Sequence, residues 1–342
     1  MLRTIAVCFV AFGPLGWAAD LPGNQSGSNP LPDTKTAQYE KSLTRARVAF
    51  LKGSYEEADK IYQQVIKQQQ AAGAQSVLLA RSTYELGATR KMEGRCDEAA
   101  TLIQHGLAML AVSPDPAPSE MANVWEALGA ARSCDYAYTQ AEHAYQKALE
   151  IERRSPKPRK RTIFEIQASL ATVYQDEGKF KEALATYEAA QALEGDPEVD
   201  PLLRALMAGT YGPLLRSQGR EAEAADAIEK GLAIVRSTPD PDGMTTAILL
   251  NAEALIQVDR KAYPEAAQSL SEALDRSSRG TASLRPGDRA QLLQNYAYCL
   301  RKLGDKKQAR AIESQAGQLT AGLRTNVSQD SLVDVSQLAS KH

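Results

Sequence analysis

Only three histidines occur in the chain, His105, His143 and His342, and none stands at a spacing that pairs it with a second metal ligand. His105 and His143 fall within helical patterns, where packing or surface roles are expected. Carboxylate pairs such as Glu56-Glu57 and Glu221 with Glu223 follow turn signals at the start of helical stretches. Negative charge there complements the helix dipole, which accounts for it without acid–base catalysis. The sequence has no GxxxxGK[ST] phosphate loop, no GxGxxG turn and no GxSxG nucleophile elbow. With no nucleophile–base set in view, the sequence reads as a non-enzyme that needs neither cofactor nor metal. The chemistry that remains is recognition. One motif stands out: Arg153 to Arg161 places six basic residues in nine positions. It is either a solvated loop or a weak contact for an anionic partner or surface.

Bulk composition narrows the class further. Of 342 residues, 43% are hydrophobic and 24% charged, which is enough apolar surface for a core and excludes a disordered polyampholyte. Forty basic and 42 acidic residues give a net charge of −2, which excludes a nucleic-acid binder driven by bulk charge. Four cysteines are too few for a disulfide scaffold. Length alone suggests about two domains.

Residues 1–18 read as an export signal: Arg3 supplies the positive start, Thr4 to Leu15 is an apolar run, and Gly16 and Ala18 are small residues where a peptidase reads. The run is short of the roughly 20 residues that cross a bilayer. The mature chain is therefore expected outside the cytoplasm, periplasmic or secreted, with no membrane span. Residues 19–38, rich in Gly, Asn, Ser and Pro, read as a flexible linker.

The elements that position everything else are repeats. A turn residue, four further residues and then Ala recur at Gly53/Ala58, Gly94/Ala99, Gly178/Ala183, Gly219/Ala224 and Gly304/Ala309. Two more copies, at Ala141 and Ala266, lack the Gly. The seven alanines are separated by 41, 42, 42, 41, 42 and 43 residues. Four residues after most of them comes a large side chain (Tyr62, Ile103, Tyr145, Tyr187, Ile228, Leu270), and seven after comes a mostly small one. Offsets of 0, 4 and 7 share one helical face. Upstream of each turn sits a large-small pair: Leu86-Gly87, Leu128-Gly129, Leu170-Ala171, Tyr211-Gly212 and Tyr296-Ala297. Each copy thus predicts two antiparallel helices meeting small against large. Three copies depart: Arg45-Ala46 in the first, Glu253-Ala254 in the sixth, and Glu313 at a large apolar position in the seventh. Terminal copies cap a stack against water, which explains the first and last but not the sixth.

These elements (the Leu-Gly pair, the turn Gly, the second-helix Ala and the residues four and seven later) resemble the tetratricopeptide repeat, over about residues 40 to 320. The usual repeat is 34 residues. The longer period here resembles the arrays typified by kinesin light chains. The resemblance implies an all-α, right-handed superhelical α-solenoid of about seven helix pairs over residues 39–320, followed by a tail, 321–342. It implies a concave wall lined by first helices, carried here by Arg47, Phe50, Tyr84, Lys91, Asn123, Glu126, Gln175, Asp176, Arg216, Asn251, Asp259, Gln294, Tyr298 and Arg301, with ordinary packing an equal expectation for Tyr84, Phe50 and Tyr298. That mixed wall suits a peptide backbone, which needs donors and acceptors. Arg47, Lys91 and Asn123 are candidates for clamping a peptide carboxylate, as in some members of the family. Stacked repeats also make the helices carrying Cys96 and Cys134 neighbours, so a Cys96–Cys134 disulfide is expected. A Cα separation above about 7 Å excludes it. Cys299 is expected as a buried thiol. The functional expectation is a non-enzymatic scaffold binding protein or peptide partners in its groove. The alternative is a cell-envelope assembly factor that self-associates through convex or terminal surfaces.

Overall fold

The computed structural model describes residues 34–72, 77–113, 116–240, 243–279, 284 and 286–321, and every regular element among them is an α-helix. The export signal, residues 19–33 of the linker and residues 322–342 of the tail lie outside the described residues. Seven pairs follow in order: α1 (Thr34–Leu51) with α2 (Tyr55–Ala71), α3 (Val77–Met92) with α4 (Cys96–Ala111), α5 (Pro118–Cys134) with α6 (Tyr138–Arg154), and α7 (Lys160–Asp176) with α8 (Phe180–Gln191). Then come α9 (Pro201–Ser217) with α10 (Glu221–Ser237), α11 (Met244–Asp259) with α12 (Tyr263–Arg279), and α13 (Pro286–Lys302) with α14 (Lys306–Ala321). The linker expectation is corrected at one end: α1 begins at Thr34, because the helical pattern of Leu43, Ala46 and Phe50 extends backward through residues with no breaker after Pro32.

The seven turns share one backbone device. Gly53, Gly94, Gly178, Gly219 and Gly304 all hold positive φ, from 74° to 90°, so that the chain reverses after each first helix. In the two copies without Gly, the equivalent residues Tyr136 and Lys261 adopt the same left-handed conformation, at φ 58° and 59°. The turn is therefore imposed by the packing of its two helices, and Gly only lowers its cost.

Small-against-large packing closes each pair. A Cβ on Gly87 would lie 2.7 Å from Ile103, one on Gly129 would lie 2.8 Å from the Tyr145 ring, and one on Gly212 would lie 2.6 Å from Ile228. Each of these large residues is the one four after the repeat Ala. The glycine seven after it works against the preceding helix: a Cβ on Gly106 would meet the Ala80 carbonyl at 2.9 Å and Tyr84 at 3.0 Å. The sixth copy now has its account, since the Glu253 carboxylate accepts from the Ser269 hydroxyl at 3.0 Å on the facing helix. In the seventh, Glu313 pairs with Arg301 at 2.5 Å at the exposed end.

The chain divides into two compact units, one ending at Val199 and the other starting at Asp200. The physical reason lies in α8, which has only 12 residues before turns carry the chain through Gly195-Asp196-Pro197. Pro201 then starts α9 and the Asp200 side chain accepts from the Leu202 amide. Helices α1–α8 make up the N-terminal unit and α9–α14 the C-terminal unit.

Candidate functional site

In the N-terminal unit, polar side chains of successive first helices meet one another. The Arg47 guanidinium on α1 donates to Glu85 on α3, with Nη2 2.6 Å from Oε1 and both side chains almost fully buried. Arg81 on α3 grips Glu120 on α5 with two bonds of 2.7 Å. Asn123 on α5 accepts from Arg159, just before α7, at 2.9 Å, and the same guanidinium holds Glu152 at 2.7 Å. These contacts act as rungs between neighbouring pairs, spaced by roughly one repeat. Burial pushes the Glu85 carboxyl up in spite of Arg47 beside it. Burial and that same carboxylate raise the Tyr62 and Tyr84 hydroxyls well above their ordinary value.

Glu126 stands apart in this wall. It is half-buried on α5, one turn beyond Asn123. Its carboxyl is pushed up to about 8, first by burial and then by the like charge of Glu165, with Glu152 adding to it; Arg159 and Lys91 oppose the shift. Lys91 is buried in the last turn of α3, on the first helix before the one that carries Glu126. Gln175 and Asp176 end α7, both half-buried, and the Gln175 Oε1 is buried without a hydrogen-bond partner among the described residues.

Other expected wall residues are placed elsewhere. Tyr84 is in the core with Ala99, Ile103 and Val124, its Cβ against Gly106, so it is a packing residue. Phe50 is buried with Leu43, Tyr62 and Leu86 and meets the Tyr55 ring edge-on at 5.4 Å. Both are aromatic residues whose helix faces its own partner at that turn. The expected clamp trio is also corrected: Arg47 is committed to Glu85 and Asn123 to Arg159, so the three do not converge on one anion.

In the C-terminal unit, Arg216 on α9 meets Asp259 on α11 at 2.6 Å, and Asn251 on α11 accepts from Asn295 on α13 at 2.9 Å. Gln294 is half-buried beside that pair in sequence. Tyr298 turns to the Tyr263 ring at 6.4 Å, with the Lys302 ammonium 5.4 Å above it, and Arg301 turns outward to Glu313. These two are therefore corrected as wall residues: the last pair bends its polar ends onto α12 and α14. The partners Glu85, Glu120, Arg159, Glu165 and Asn295 were missed in the sequence. For Glu85, Glu120 and Asn295 a signal was present, as a basic or amide residue answered by an acid or amide about one repeat later.

Cys96 and Cys134 come together at the turn edge of the second and third pairs, with Cα atoms 5.7 Å apart and sulfurs within bonding distance. Cys299 is fully buried, and burial raises its thiol to about 11. His143 lies edge-on to Trp125 at 5.8 Å, and His105 is exposed. Among the described residues, no group of three or more His, Cys, Asp or Glu is arranged to hold a metal, and no helix is long and apolar enough to cross a membrane.

Two family profiles, each described as a tetratricopeptide repeat, match residues 38–111 and 164–197. Solved structures with the same fold include the apo form of RapI, at TM-score 0.66 and 12% identity, covering 84% of this chain and 99% of that one. The complex of NprR with its cognate peptide NprX matches at TM-score 0.62 and 15% identity, covering 88% and 81%. Aspartyl phosphate phosphatase F from Bacillus subtilis matches at TM-score 0.62 and 11% identity, covering 88% and 74%. A comparison with curated proteins found no match. The profiles, the helix pairs and the turn glycines together define the class: the chain carries tetratricopeptide repeats, and its described residues are all-helical with the fold of a repeat solenoid.

Proposed function

We propose that this chain is a non-enzymatic scaffold that holds a peptide or protein segment against the first-helix wall of its N-terminal unit, outside the cytoplasm. The observation that carries this reading is the row of charged and amide groups on α1, α3, α5 and α7, where a helical core needs only apolar residues. Buried ion pairs of this kind contribute little net stability over well-packed apolar residues, so their presence favours a role in recognition. The likeness in fold to NprR in complex with its cognate peptide supports the same reading. Glu126 and Lys91, on adjacent first helices within this row, are the side chains assigned to the partner. The export signal of residues 1–18 and the closeness of Cys96 to Cys134 support an oxidising compartment.

The experiment is co-purification of the full chain from a cell-envelope fraction, with Lys91→Ala and Glu126→Ala combined. The expected result is loss of the bound partner while the helical signal holds. A double variant that keeps every partner removes the wall assignment. Sequencing the N-terminus of the fractionated protein tests the location: a start at Ala19 supports it, and an intact Met1 in the cytoplasmic fraction opposes it. Assaying the same preparation for phosphatase activity tests the non-enzymatic part, given the phosphatase by name among the structures of like fold.

A further inference from the structure

The basic run singled out in the sequence divides in two once folded. Arg159 and Arg161 turn inward: Arg159 binds Glu152 and Asn123, and Arg161 binds Glu165 at 3.0 Å. Arg153, Lys157 and Lys160 are exposed and have no ion-pair partner among the described residues. Arg154 is exposed beside them and shares Glu150 at 2.8 Å. The inward half fixes the outward half. Glu152, buried on α6, accepts from the Arg159 backbone amide at 2.7 Å and from its guanidinium, pinning the loop at both ends of its turn. Pro156 and Pro158 flank Lys157 and restrict the backbone around it. The outward cations therefore sit on a loop ordered before any partner arrives, which lowers the entropy cost of binding. A shallow recess lined by Gln146, Leu149, Glu150, Arg153 and Arg154 adjoins the loop.

We propose that the loop joining α6 to α7 is a second docking site, in which Arg153, Lys157 and Lys160 receive an acidic segment of a protein partner. A bilayer fits less well. Three cations give a flat anionic surface little hold, and it would press against the carboxylates of Glu150 and Glu198, the latter bonded to the Lys160 amide at 2.9 Å. A single extended chain reaches the cations and passes beside those carboxylates. The site is separate from the first-helix wall and stands or falls independently of it.

The test is fluorescence anisotropy of a labelled octaglutamate peptide with the full chain, at about 50 mM and about 200 mM salt. Two charge-matched variants are compared: Arg153→Glu with Lys157→Glu and Lys160→Glu, and, as a control, Lys41→Glu with Lys52→Glu and Lys67→Glu. All six positions are exposed, and circular dichroism checks both folds. If the loop reversal fails to fold, Gln replaces Glu at its three positions. The expected result is saturable binding that weakens about tenfold or more in the loop variant and less than about twofold in the control, with Lys91→Ala/Glu126→Ala unchanged. Equal losses in both triples would mean bulk electrostatics and overturn the site. So would absence of binding by the unaltered chain at low salt. Capture by phosphatidylglycerol vesicles with no binding of the peptide would assign the loop to a lipid surface instead.

Discussion

The two units use the same helix pair and fill it differently. Among the described residues, the buried charged side chains of the N-terminal unit are Arg47, Asp59, Glu85, Lys91, Glu120, Glu152 and Glu165, and that of the C-terminal unit is Asp288. The first helices show the contrast best. In α3, Arg81 and Glu85 reach across to neighbouring pairs, whereas α11 buries Ala247, Ile248, Leu249, Leu250, Ala252, Leu255 and Ile256 in the same kind of place. The difference shows that the repeat specifies the hairpin and leaves the interior chemistry open. The C-terminal unit spends that freedom on apolar packing, and the N-terminal unit spends it on ion pairs that contribute direction and selectivity more than stability.

The largest test of this contrast is Glu85→Ala. It strands the Arg47 guanidinium in the core and is expected to cost about 3–5 kcal/mol in urea unfolding, while Arg47→Met combined with Glu85→Leu returns close to the parent. The matching change in the C-terminal unit, Asn251→Leu with Asn295→Leu, is expected to shift stability by less than about 1.5 kcal/mol. Equal effects in the two units would erase the distinction. Next comes the sulfur pair, found only in the N-terminal unit. Cys96→Ser with Cys134→Ser is expected to lose about 3–4 kcal/mol relative to the oxidised parent, for a closed loop of about 39 residues. Reductant should then bring the parent down to the variant.

The third test uses pH. The folded-state value of Glu126 lies near 8, above its ordinary 4.5. Between those values the unfolded chain releases a proton that the folded chain keeps, so stability falls as pH rises from about 4.5 to about 8 and then levels. The loss is of the order of 1–3 kcal/mol, because Glu126 is only half-buried and keeps part of its solvent screening. Glu126→Gln is expected to flatten that slope, and a slope unchanged in this variant would assign it to other groups. Of similar size is Gly129→Ala, whose new Cβ would press on the Tyr145 ring and is expected to cost about 1–3 kcal/mol by thermal melting. The smallest effect is a gain. Tyr136→Gly and Lys261→Gly, one in each unit, relieve a left-handed non-glycine and should each add about 0.5 kcal/mol. The two should agree, since the turn belongs to the repeat and not to the interior.

The sequence made the turns and pair contacts legible because they are local. The five-residue step from Gly to Ala and the large residue four further on lie within a few turns of chain, and helical periodicity places them without reference to any distant element. The same logic failed for Tyr84 and Phe50. A residue on a first helix lies between its own pair and the next one, and the side it serves depends on the angle between pairs. Arg301 and Tyr298 failed for a related reason, since the last pair has no following pair to face.

What the sequence by itself determined is the repeat: seven helix pairs, the left-handed turn after each first helix, and close approach at Gly87, Gly129 and Gly212. These follow from spacing and from the steric limits of small residues, which hold whatever surrounds them. The tertiary structure alone decided which polar groups meet, as with Arg47 and Glu85 or Asn123 and Arg159, and which half of the basic run turns inward. It also decided that the pairs gather into two units at Val199 and Asp200. Those outcomes depend on the rotation between successive pairs, a quantity summed over many weak contacts and written in no single motif.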